Sequence, residues 1–323
     1  MAILVTGGAG YIGSHTVCEL LDSGKEVLTF DSLETGHRDA VLGGKFYQGD
    51  VRNKEDLMKV FKENDISGVI HFAAYSLVGE SMTNPFKYYH NNVYGTSLLL
   101  QSMVEVGVKN IIYSSSAAVY GEPEHADIPI KETARTEPTN CYGQTKLAIE
   151  GMLKWFDKAH GIKYTALRYF NAAGAHENLK IGERHNPETH LIPLVLQAAN
   201  GEREYISIFG NDYPTKDGTC FRDYIHVTDL AIAHIKALER LESGASSTIY
   251  NLGNGNGFSV KEVIDTAEKI VGHPIKQVIE NRRAGDPAFL VASNEKATRE
   301  LGLKPKYSDL ESIIRTAWKY VTK

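Results

Sequence analysis

The sequence is poor in cysteine, has no long apolar run and carries no excess of basic residues. Its three cysteines are far apart and form no CxxC pair, which argues against a disulfide framework or a zinc site and predicts a reducing, cytoplasmic location. No run reaches the roughly eighteen apolar residues of a membrane-spanning helix, so we expect no membrane partner. The net charge of −5 argues against nucleic acid as the main partner.

Signals for targeting and for metals are also missing. The first residues lead directly into a strand pattern without a basic region or a cleavage site, so we expect no signal peptide. The twelve histidines are scattered, and no HExxH occurs. The spacing of His185 and His190 does not suit two ligands on one helical face, so we expect no metal site.

The first half of the chain alternates short apolar runs with amphipathic segments. This alternation predicts an α/β fold with a doubly wound, parallel Rossmann sheet that has helices on both faces. We predict strands at 3–5, 27–30, 46–48, 68–72, 110–114 and 164–169. Helices are predicted near 11–23, 53–64, 86–107 and 142–158.

The second half has a different composition. Residues 171–187 are rich in Gly, Asn and His, and residues 205–219 contain a turn signal at 210–214, so both predict loops. Later helices are predicted near 228–241, 259–271 and 308–321. The 323 residues suffice for two domains. We predict a dinucleotide-binding Rossmann domain over 1–170. Residues 171–323 would mainly form a smaller C-terminal α/β substrate lobe, with some segments returning to the sheet.

A glycine-rich turn follows the first predicted strand, reading GxGxxG from Gly8 and GxxGxxG from Gly7. Such glycines allow a tight turn in which the backbone approaches a pyrophosphate at a helix N-terminus. Asp31, at the end of the second strand, can accept hydrogen bonds from an adenosine ribose and would repel a 2′-phosphate. NAD is therefore favoured over NADP, although the nearby Arg38 could accommodate a 2′-phosphate and so favour NADP. The alternative, an ordinary β–α turn, is disfavoured by the surrounding strand, helix and Asp31 together.

A tyrosine and a lysine in YxxxK spacing follow the fifth predicted strand. Tyr142 and Lys146 would share one face of a helix. The spacing arises by chance about once in a chain of this composition, and a surface pair is the alternative reading. The position of the pair after the fifth strand favours a catalytic role, because the carboxyl end of that strand faces the nicotinamide end of a bound cofactor. A neighbouring ammonium and the nicotinamide ring would both favour the phenolate that a base for alcohol oxidation needs.

Together these residues resemble the extended short-chain dehydrogenase/reductase family, and within it the members that epimerise UDP-hexoses at C4. The resemblance covers nearly the whole chain and includes the stretches 6–15, 69–73, 78–81, 91–93, 114–121, 142–146, 168–171, 208–214, 222–226, 250–253 and 282–286. It implies reversible interconversion of UDP-glucose and UDP-galactose with a retained NAD. The sugar would be oxidised at C4, rotated as the 4-keto form and reduced on its other face.

The resemblance also implies roles at the family's motif positions. Ser116, Tyr142 and Lys146 would be catalytic, with Tyr142 as base for the 4-hydroxyl and Lys146 also binding the nicotinamide ribose. The cofactor positions are Gly7, Gly10, Tyr11, Ile12, Gly13, Asp31, Asp50, Val51, Phe72, Ala73, Ala74, Asn91, Ser114, Tyr142, Lys146 and Phe170. The UDP-hexose positions are Ser116, Asn171, His190, Leu191, Ser207, Phe209, Arg222, Arg283, Asp286 and Leu290. The two arginines among them would bind the diphosphate.

Three positions depart from the family pattern. Ser76 stands where some members carry a cofactor-binding lysine, so that contact is lost or replaced. His190 stands where others have asparagine. Leu290 stands where strict members carry a tyrosine against the sugar. The smaller side chain implies room for an N-acetyl group, and hence activity on UDP-N-acetylglucosamine and UDP-N-acetylgalactosamine as well.

Three other functions occur with similar motifs, and this sequence disfavours each of them. A sugar-nucleotide 4,6-dehydratase shares the Tyr–Lys pair but needs an Asp–Glu pair where this chain has Ala117 and Ala118, which transfer no proton. A UDP-glucuronate decarboxylase is disfavoured because no extra basic residue is clearly placed for a carboxylate. A non-enzymatic NAD-binding redox sensor can lose the tyrosine or lysine that this chain keeps. The family is usually dimeric, so we expect a homodimer through the helices near 86–107 and 142–158.

Overall fold

The computed structural model describes residues 1–124, 127–283 and 286–323. The strands are β1 (Ala2–Thr6), β2 (Val27–Asp31), β3 (Lys45–Gln48), β4 (Ile66–His71), β5 (Asn110–Ser116), β6 (Lys163–Tyr169), β7 (Asn171–Ala173), β8 (Ile206–Phe209), β9 (Phe221–His226), β10 (Thr248–Leu252), β11 (Gly257–Ser259), β12 (Gln277–Glu280) and β13 (Phe289–Leu290). The helices are α1 (Tyr11–Asp22), α2 (Lys54–Glu63), α3 (Val78–Thr83), α4 (Pro85–Tyr88), α5 (Gly95–Val106), α6 (Cys141–His160), α7 (Leu191–Ala199), α8 (Val227–Glu242), α9 (Val260–Val271), α10 (Glu295–Leu301) and α11 (Leu310–Val321).

The main sheet has seven strands in the order β10-β6-β5-β4-β1-β2-β3. The pairings that join β1 through β6 are parallel. Strands β1 and β2 are buried along their whole length, as expected where helices cover both faces of a parallel sheet. The chain order reverses between β1 and β4, and ligands bind at the carboxyl ends of the strands beside such a reversal. The predicted doubly wound α/β fold is confirmed.

The chain divides into two compact units. The first comprises residues 1–121, 135–169 and 231–250, and the second comprises 122–134, 170–230 and 251–323. The second unit has its own apolar core, which includes Ile192, Val195, Val263 and Ile313. It contains a small sheet in which β9 pairs with β7, β11 and β13, and a parallel pair of β8 and β12. Within the described ranges, no helix is both long enough and apolar enough to span a bilayer.

Three local predictions are wrong. The helix predicted near 86–107 is interrupted by a π-helical turn at Tyr89–Tyr94 between α4 and α5, because an apolar helical period does not distinguish the two kinds of turn. The loop predicted at 205–219 begins with β8, in which Ile206 and Ile208 are buried and alternate with less buried residues. That alternation is typical of a strand. It was not predicted because the turn residues at 210–214 favoured a loop for the whole segment. The loop predicted at 171–187 likewise begins with β7.

Candidate active site

The glycine-rich turn between β1 and α1 is shaped by close backbone approaches. Gly7 has a φ of +74°, which L side chains rarely adopt, and a Cβ there would lie 2.5 Å from a backbone nitrogen just past β4. A Cβ on Gly13 would lie 2.1 Å from the carbonyl oxygen of Gly7. Helix α1 begins with Tyr11 and Ile12 after the N-cap Gly10, so no side chain caps its first turn. The helix end can therefore present backbone N–H groups to a pyrophosphate.

Asp31 is buried at the end of β2. Its Oδ2 accepts a hydrogen bond from the Ala9 N–H (2.9 Å), and its Oδ1 accepts one from the Leu33 N–H (2.8 Å). Burial raises the pKa of Asp31, while these hydrogen bonds lower it by less. A carboxylate has about four acceptor sites, so capacity remains for ribose hydroxyls. The guanidinium carbon of Arg38, which could have favoured a 2′-phosphate, lies 4.4 Å from the centre of the Phe46 ring.

Asp50, after β3, belongs to a network of charged side chains. Its carboxylate accepts hydrogen bonds from Nε of Arg52 at 2.8 and 2.9 Å, and Arg52 also forms an ion pair with Glu34 at 2.6 Å. The Tyr75 hydroxyl donates to the same Glu34 carboxylate. Burial favours a higher pKa for Asp50, but the hydrogen bonds and charge of Arg52 outweigh it and lower the pKa. Asp50 therefore remains ionised, and the adjacent Val51 is buried.

The end of β4 and the π-helical turn contribute further predicted cofactor residues. The N–H groups of Phe72 and Ala73 donate to the last carbonyl of β1 at 2.9 and 3.1 Å, which connects β4 to the glycine-rich turn. Ala74 follows them and is half-buried. Asn91 is buried in the π-helical turn, and its amide donates to Oδ1 of Asn92 at 2.9 Å. Such turns are frequent at functional sites.

The tyrosine and lysine predicted as a pair lie one turn apart on α6. Lys146 is 2% exposed, and its Nζ donates to the Ser114 carbonyl at 2.6 Å. The same Nζ lies 5.6 Å from the centre of the Tyr142 ring and 5.1 Å from the centre of the Tyr113 ring. Ser116, the last residue of β5, forms a side-chain hydrogen bond with Tyr142. The structure therefore brings Ser114, Ser116, Tyr142 and Lys146 together at the carboxyl end of β5.

The electrostatics of this pair differ from the expectation. Burial raises the pKa of Tyr142, and the hydrogen bond with Ser116 lowers it by less. Burial also lowers the pKa of Lys146 to about 7, against the charge of Glu150, which raises it. The lysine is therefore only partly charged at neutral pH and favours phenolate less than an exposed ammonium would. The two groups are best treated as a coupled pair that shares one proton.

Glu150 is a buried residue that the sequence analysis missed. It lies on the same face of α6 as Lys146 and forms an ion pair with Arg168, with Nη2 2.6 Å from Oε2. Ser115 donates to its Oε1 at 2.6 Å, and Arg168 donates to the Tyr120 hydroxyl at 3.0 Å. Breaking such a buried pair costs roughly 3–5 kcal/mol, so the pair anchors α6 to β5 and β6. Its position four residues after Lys146 could have predicted that both side chains lie on the same face of the helix.

In the second unit, the predicted substrate residues form two contacting pairs. Arg222, on β9, donates to the carboxylate of Asp286, and Leu290 on β13 pairs in register with Arg222. The guanidinium carbon of Arg283 lies 3.9 Å from the centre of the Phe209 ring. Planar guanidinium groups with several donors suit the oxygens of a diphosphate. Of the matching stretch 282–286, residues 284 and 285 lie outside the described residues.

The other predicted residues of this unit are more dispersed. Asn171 donates its side-chain N–H to a carbonyl of β9 at 2.8 Å, and His190 and Leu191 mark the start of α7. Ser207 lies two residues before the end of β8, and Phe170, predicted at the cofactor, is buried just before β7. No hydrogen bond or ion pair between residues that the structure describes joins these five side chains to the two arginines.

Comparisons with known proteins find similar sequences along nearly the whole chain. The sequence profile of the family described as the NAD dependent epimerase/dehydratase family matches residues 3–253. Over 320 residues the chain is 56% identical to a UDP-glucose 4-epimerase of Halalkalibacterium halodurans. The aligned region covers 99% of this chain and 95% of that relative.

Solved structures of the same enzyme class are similar along the whole chain. The UDP-glucose 4-epimerase from Brucella ovis in complex with NAD has a TM-score of 0.96 at 45% identity, covering 99% of this chain and 98% of that one. The enzyme from Bifidobacterium longum in complex with NAD⁺ and UDP has a TM-score of 0.93 at 40% identity, covering 100% and 98%. Both likenesses include the two units described above.

Proposed function

The chain belongs to the NAD-dependent epimerase/dehydratase family, and from this membership we propose that it interconverts UDP-glucose and UDP-galactose by epimerisation at C4, with NAD as its cofactor. The enzyme is an isomerase. The observation that carries the proposal is the cluster of Ser116, Tyr142 and Lys146 at the carboxyl end of β5. This cluster combines an acid–base phenol, a hydroxyl and a buried amine, the groups needed to move a hydroxyl proton.

The residues of the first unit fit a dinucleotide. Side chains at Gly7 and Gly13 would collide with the backbone of the chain itself, so the glycines permit the tight turn that leads into α1, whose N-terminus would face a pyrophosphate. Asp31 would accept the ribose hydroxyls, and Lys146 would bind the nicotinamide ribose. When bound, NAD would supply the acceptor for a hydride from the sugar C4 and, once reduced, the donor for its return.

The proton of the sugar 4-hydroxyl is assigned to Tyr142. Burial lowers the pKa of Lys146 to about 7. Above neutral pH the pair of Tyr142 and Lys146 has therefore lost one proton and can accept the proton of the sugar 4-hydroxyl. Ser116 would orient the sugar oxygen through its hydroxyl. The 4-keto sugar then rotates in the site so that its other face is reduced. Tyr142 gives the proton back when C4 is reduced, so the reaction consumes neither proton nor cofactor.

The UDP part of the substrate is assigned to the second unit. Arg222 and Arg283 would bind the diphosphate as donors with permanent positive charge. Asp286 holds the guanidinium of Arg222, and the Phe209 ring supports that of Arg283 through a cation–π contact. These supports restrict two long side chains before binding, which reduces the entropy lost when the diphosphate binds.

The alternatives lack chemistry that they require. Ala117 and Ala118 form the 3₁₀ turn directly after Ser116, and neither side chain carries a proton for elimination of water. A 4,6-dehydratase is therefore not favoured. A redox sensor would have no need of the buried amine and phenol, whose burial is costly without a function.

The test of the proposed function is incubation of the purified protein with UDP-galactose and no added cofactor. We expect UDP-glucose as the product and NAD in the extract of the denatured protein. A 4-keto-6-deoxy sugar would support the dehydratase instead. Absence of turnover by a folded, NAD-containing protein would contradict the proposed activity and favour the sensor.

We also propose a cytoplasmic role in galactose metabolism. The three cysteines, all within the described residues, form no disulfide, which suits a reducing compartment. The reaction itself links the two hexoses at the level of their UDP derivatives.

The size of the residue at position 290 is proposed to decide whether N-acetyl sugars are accepted. Leu290 is half-buried beside Arg222. Leu290→Tyr is expected to lower turnover of UDP-N-acetylgalactosamine by about tenfold or more, since filling a pocket discriminates on this scale, and to change UDP-galactose turnover little. Parallel product analysis measures both. Leu290→Met conserves volume and is the control. Unchanged N-acetyl turnover in the tyrosine variant would disprove this selection by size.

A homodimer is proposed from exposed apolar side chains on the helices of the first unit. Phe86, His90 and Tyr94 stack in a row, with ring centres 5.6 and 5.3 Å apart. Met82 and Trp155 are exposed as well, and α6 contacts α3, α4 and the π-helical turn. Contiguous exposed apolar surface marks an interaction site, and a face of this kind on each copy suits a two-fold interface.

Trp155→Glu is expected to weaken this dimer by about 30-fold, since central tryptophans contribute about 2 kcal/mol or more to interfaces. Sedimentation velocity over a dilution series measures the change. Ile279→Glu is the matched control, because Ile279 is 58% exposed on β12 of the second unit. Equal association of both variants and the unmodified protein would show that this face is not the interface.

A further inference from the structure

Two glutamates and two histidines converge in the loop before α7. One potential ligand atom from each of Glu183, His185, Glu188 and His190 lies within 4.8 Å of the others. The two imidazole ring centres are 5.2 Å apart. The expectation of no metal site rested on helical spacing, and these residues are not in a helix. The loop therefore brings together a donor set that the spacing argument did not consider.

The separations between these atoms resemble those of ligands around one ion. Nδ1 of His185 lies 3.2 Å from Oε1 of Glu183 and 3.5 Å from Oε2 of Glu188. Nδ1 of His190 lies 2.7 Å from Oε1 of Glu183 and 3.3 Å from Oε1 of Glu188. In a tetrahedral zinc site with bonds of about 2.0–2.1 Å, neighbouring ligand atoms are about 3.3 Å apart. All but the shortest separation are close to this value.

The Glu183 carboxylate gives a second, independent indication. Its side chain is 6% exposed, and its Oε1 receives no hydrogen bond from any residue in the described part of the chain. The Nδ1 of His190 lies 2.7 Å from this oxygen, and the two form an ion pair only if the imidazole is protonated. A buried carboxylate oxygen without a hydrogen bond is costly. Since this oxygen faces the two imidazoles, an ion between them would satisfy it.

Backbone contacts hold one of the carboxylates in place. The N–H groups of Thr189 and His190 donate to Oε1 of Glu188 at 2.7 and 2.8 Å. Contacts of this kind orient ligands in metal sites. The other explanation for the cluster is a set of ion pairs in which both imidazoles are protonated, and the experiment must separate the two.

We propose that Glu183, His185, Glu188 and His190 bind one zinc(II) ion. Two imidazoles and two carboxylates suit zinc among the divalent metals, and four protein ligands make a closed, structural site rather than a catalytic one. The ion ties the loop to the start of α7 at His190. His190 is then a metal ligand, which gives a reason for its departure from the family pattern. This proposal does not rest on the epimerase activity.

The experiment uses the full-length protein, purified without chelators, and measures zinc per chain by mass spectrometry. We expect about one zinc ion per chain. After removal by a chelator, cobalt(II) should bind and give the visible absorption of a tetrahedral site. Glu183→Gln, which preserves shape, and His185→Ala should each weaken zinc binding by about tenfold or more. His273→Ala, at an exposed histidine of the same unit, should bind zinc normally.

Two results would overturn the proposal. One is an unmodified protein that contains no zinc and gives no cobalt absorption, which would leave an ion-pair cluster only. The other is undiminished zinc affinity in folded Glu183→Gln and His185→Ala proteins, with folding checked by circular dichroism and NAD content. If both variants unfold, the cobalt spectrum of the unmodified protein decides by itself.

Discussion

Tyr142→Phe is expected to lower kcat for UDP-galactose by about 10³-fold, within the range that a positioned acid–base group contributes. The change removes one oxygen atom and keeps the ring beside Lys146. It abolishes proton transfer and the hydrogen bond with Ser116, and it should leave NAD bound. Since the lost interaction acts mainly in the transition state, KM should change little. Initial rates with UDP-galactose measure both constants.

Tyr164→Phe is the matched control for this substitution. Tyr164 lies near the amino end of β6, whereas Ser116 and its neighbours lie at the carboxyl end of the adjacent β5. Activity of the control should be close to normal. If folded, NAD-containing Tyr142→Phe protein keeps more than about a tenth of the normal kcat, Tyr142 is not the base and the proposed proton transfer is wrong.

The core of the first unit could be predicted because its local signals agree. Strands β1 and β2 are mostly apolar and fully buried, as both faces of a parallel sheet are covered. The glycine-rich turn follows β1 directly, and Asp31 ends β2. The shared face of Tyr142 and Lys146 follows from the helical period alone. Each of these inferences needs only residues that are close in sequence.

Other features depend on packing and could not be predicted this way. The apolar period of residues 86–107 does not distinguish the π-helical turn that contains Asn91 from an ordinary α-helical turn. Glu183 and His190 meet because an irregular loop folds back, for which no spacing rule exists. The pKa of Lys146 is lowered by burial, which belongs to the fold and not to the residue type. Ser81 accepts a hydrogen bond from the N–H of Tyr142 at 3.1 Å across 61 residues.

Lys146→Met is expected to change the pH dependence of kcat/KM as well as its size. In the unmodified enzyme the pair first loses the proton of Lys146, whose pKa burial lowers to about 7, so activity should rise with pH through neutrality. In the variant only the Tyr142 phenol titrates, and burial raises its pKa above the ordinary 10.0. Activity at pH 7 should therefore fall by about 10³-fold and recover about tenfold per pH unit on raising the pH.

The competing role for Lys146 is to bind the ribose of the cofactor and nothing else. In that case kcat/KM at saturating NAD would fall by the same factor at every pH, and its rise through neutrality would remain. Lys154→Met, at an exposed position of the same helix, controls for loss of a charge on α6. Parallel pH profiles would therefore disprove the shared proton. A shifted profile would mean that Tyr142 supplies the base while Lys146 sets the pH at which that base is available.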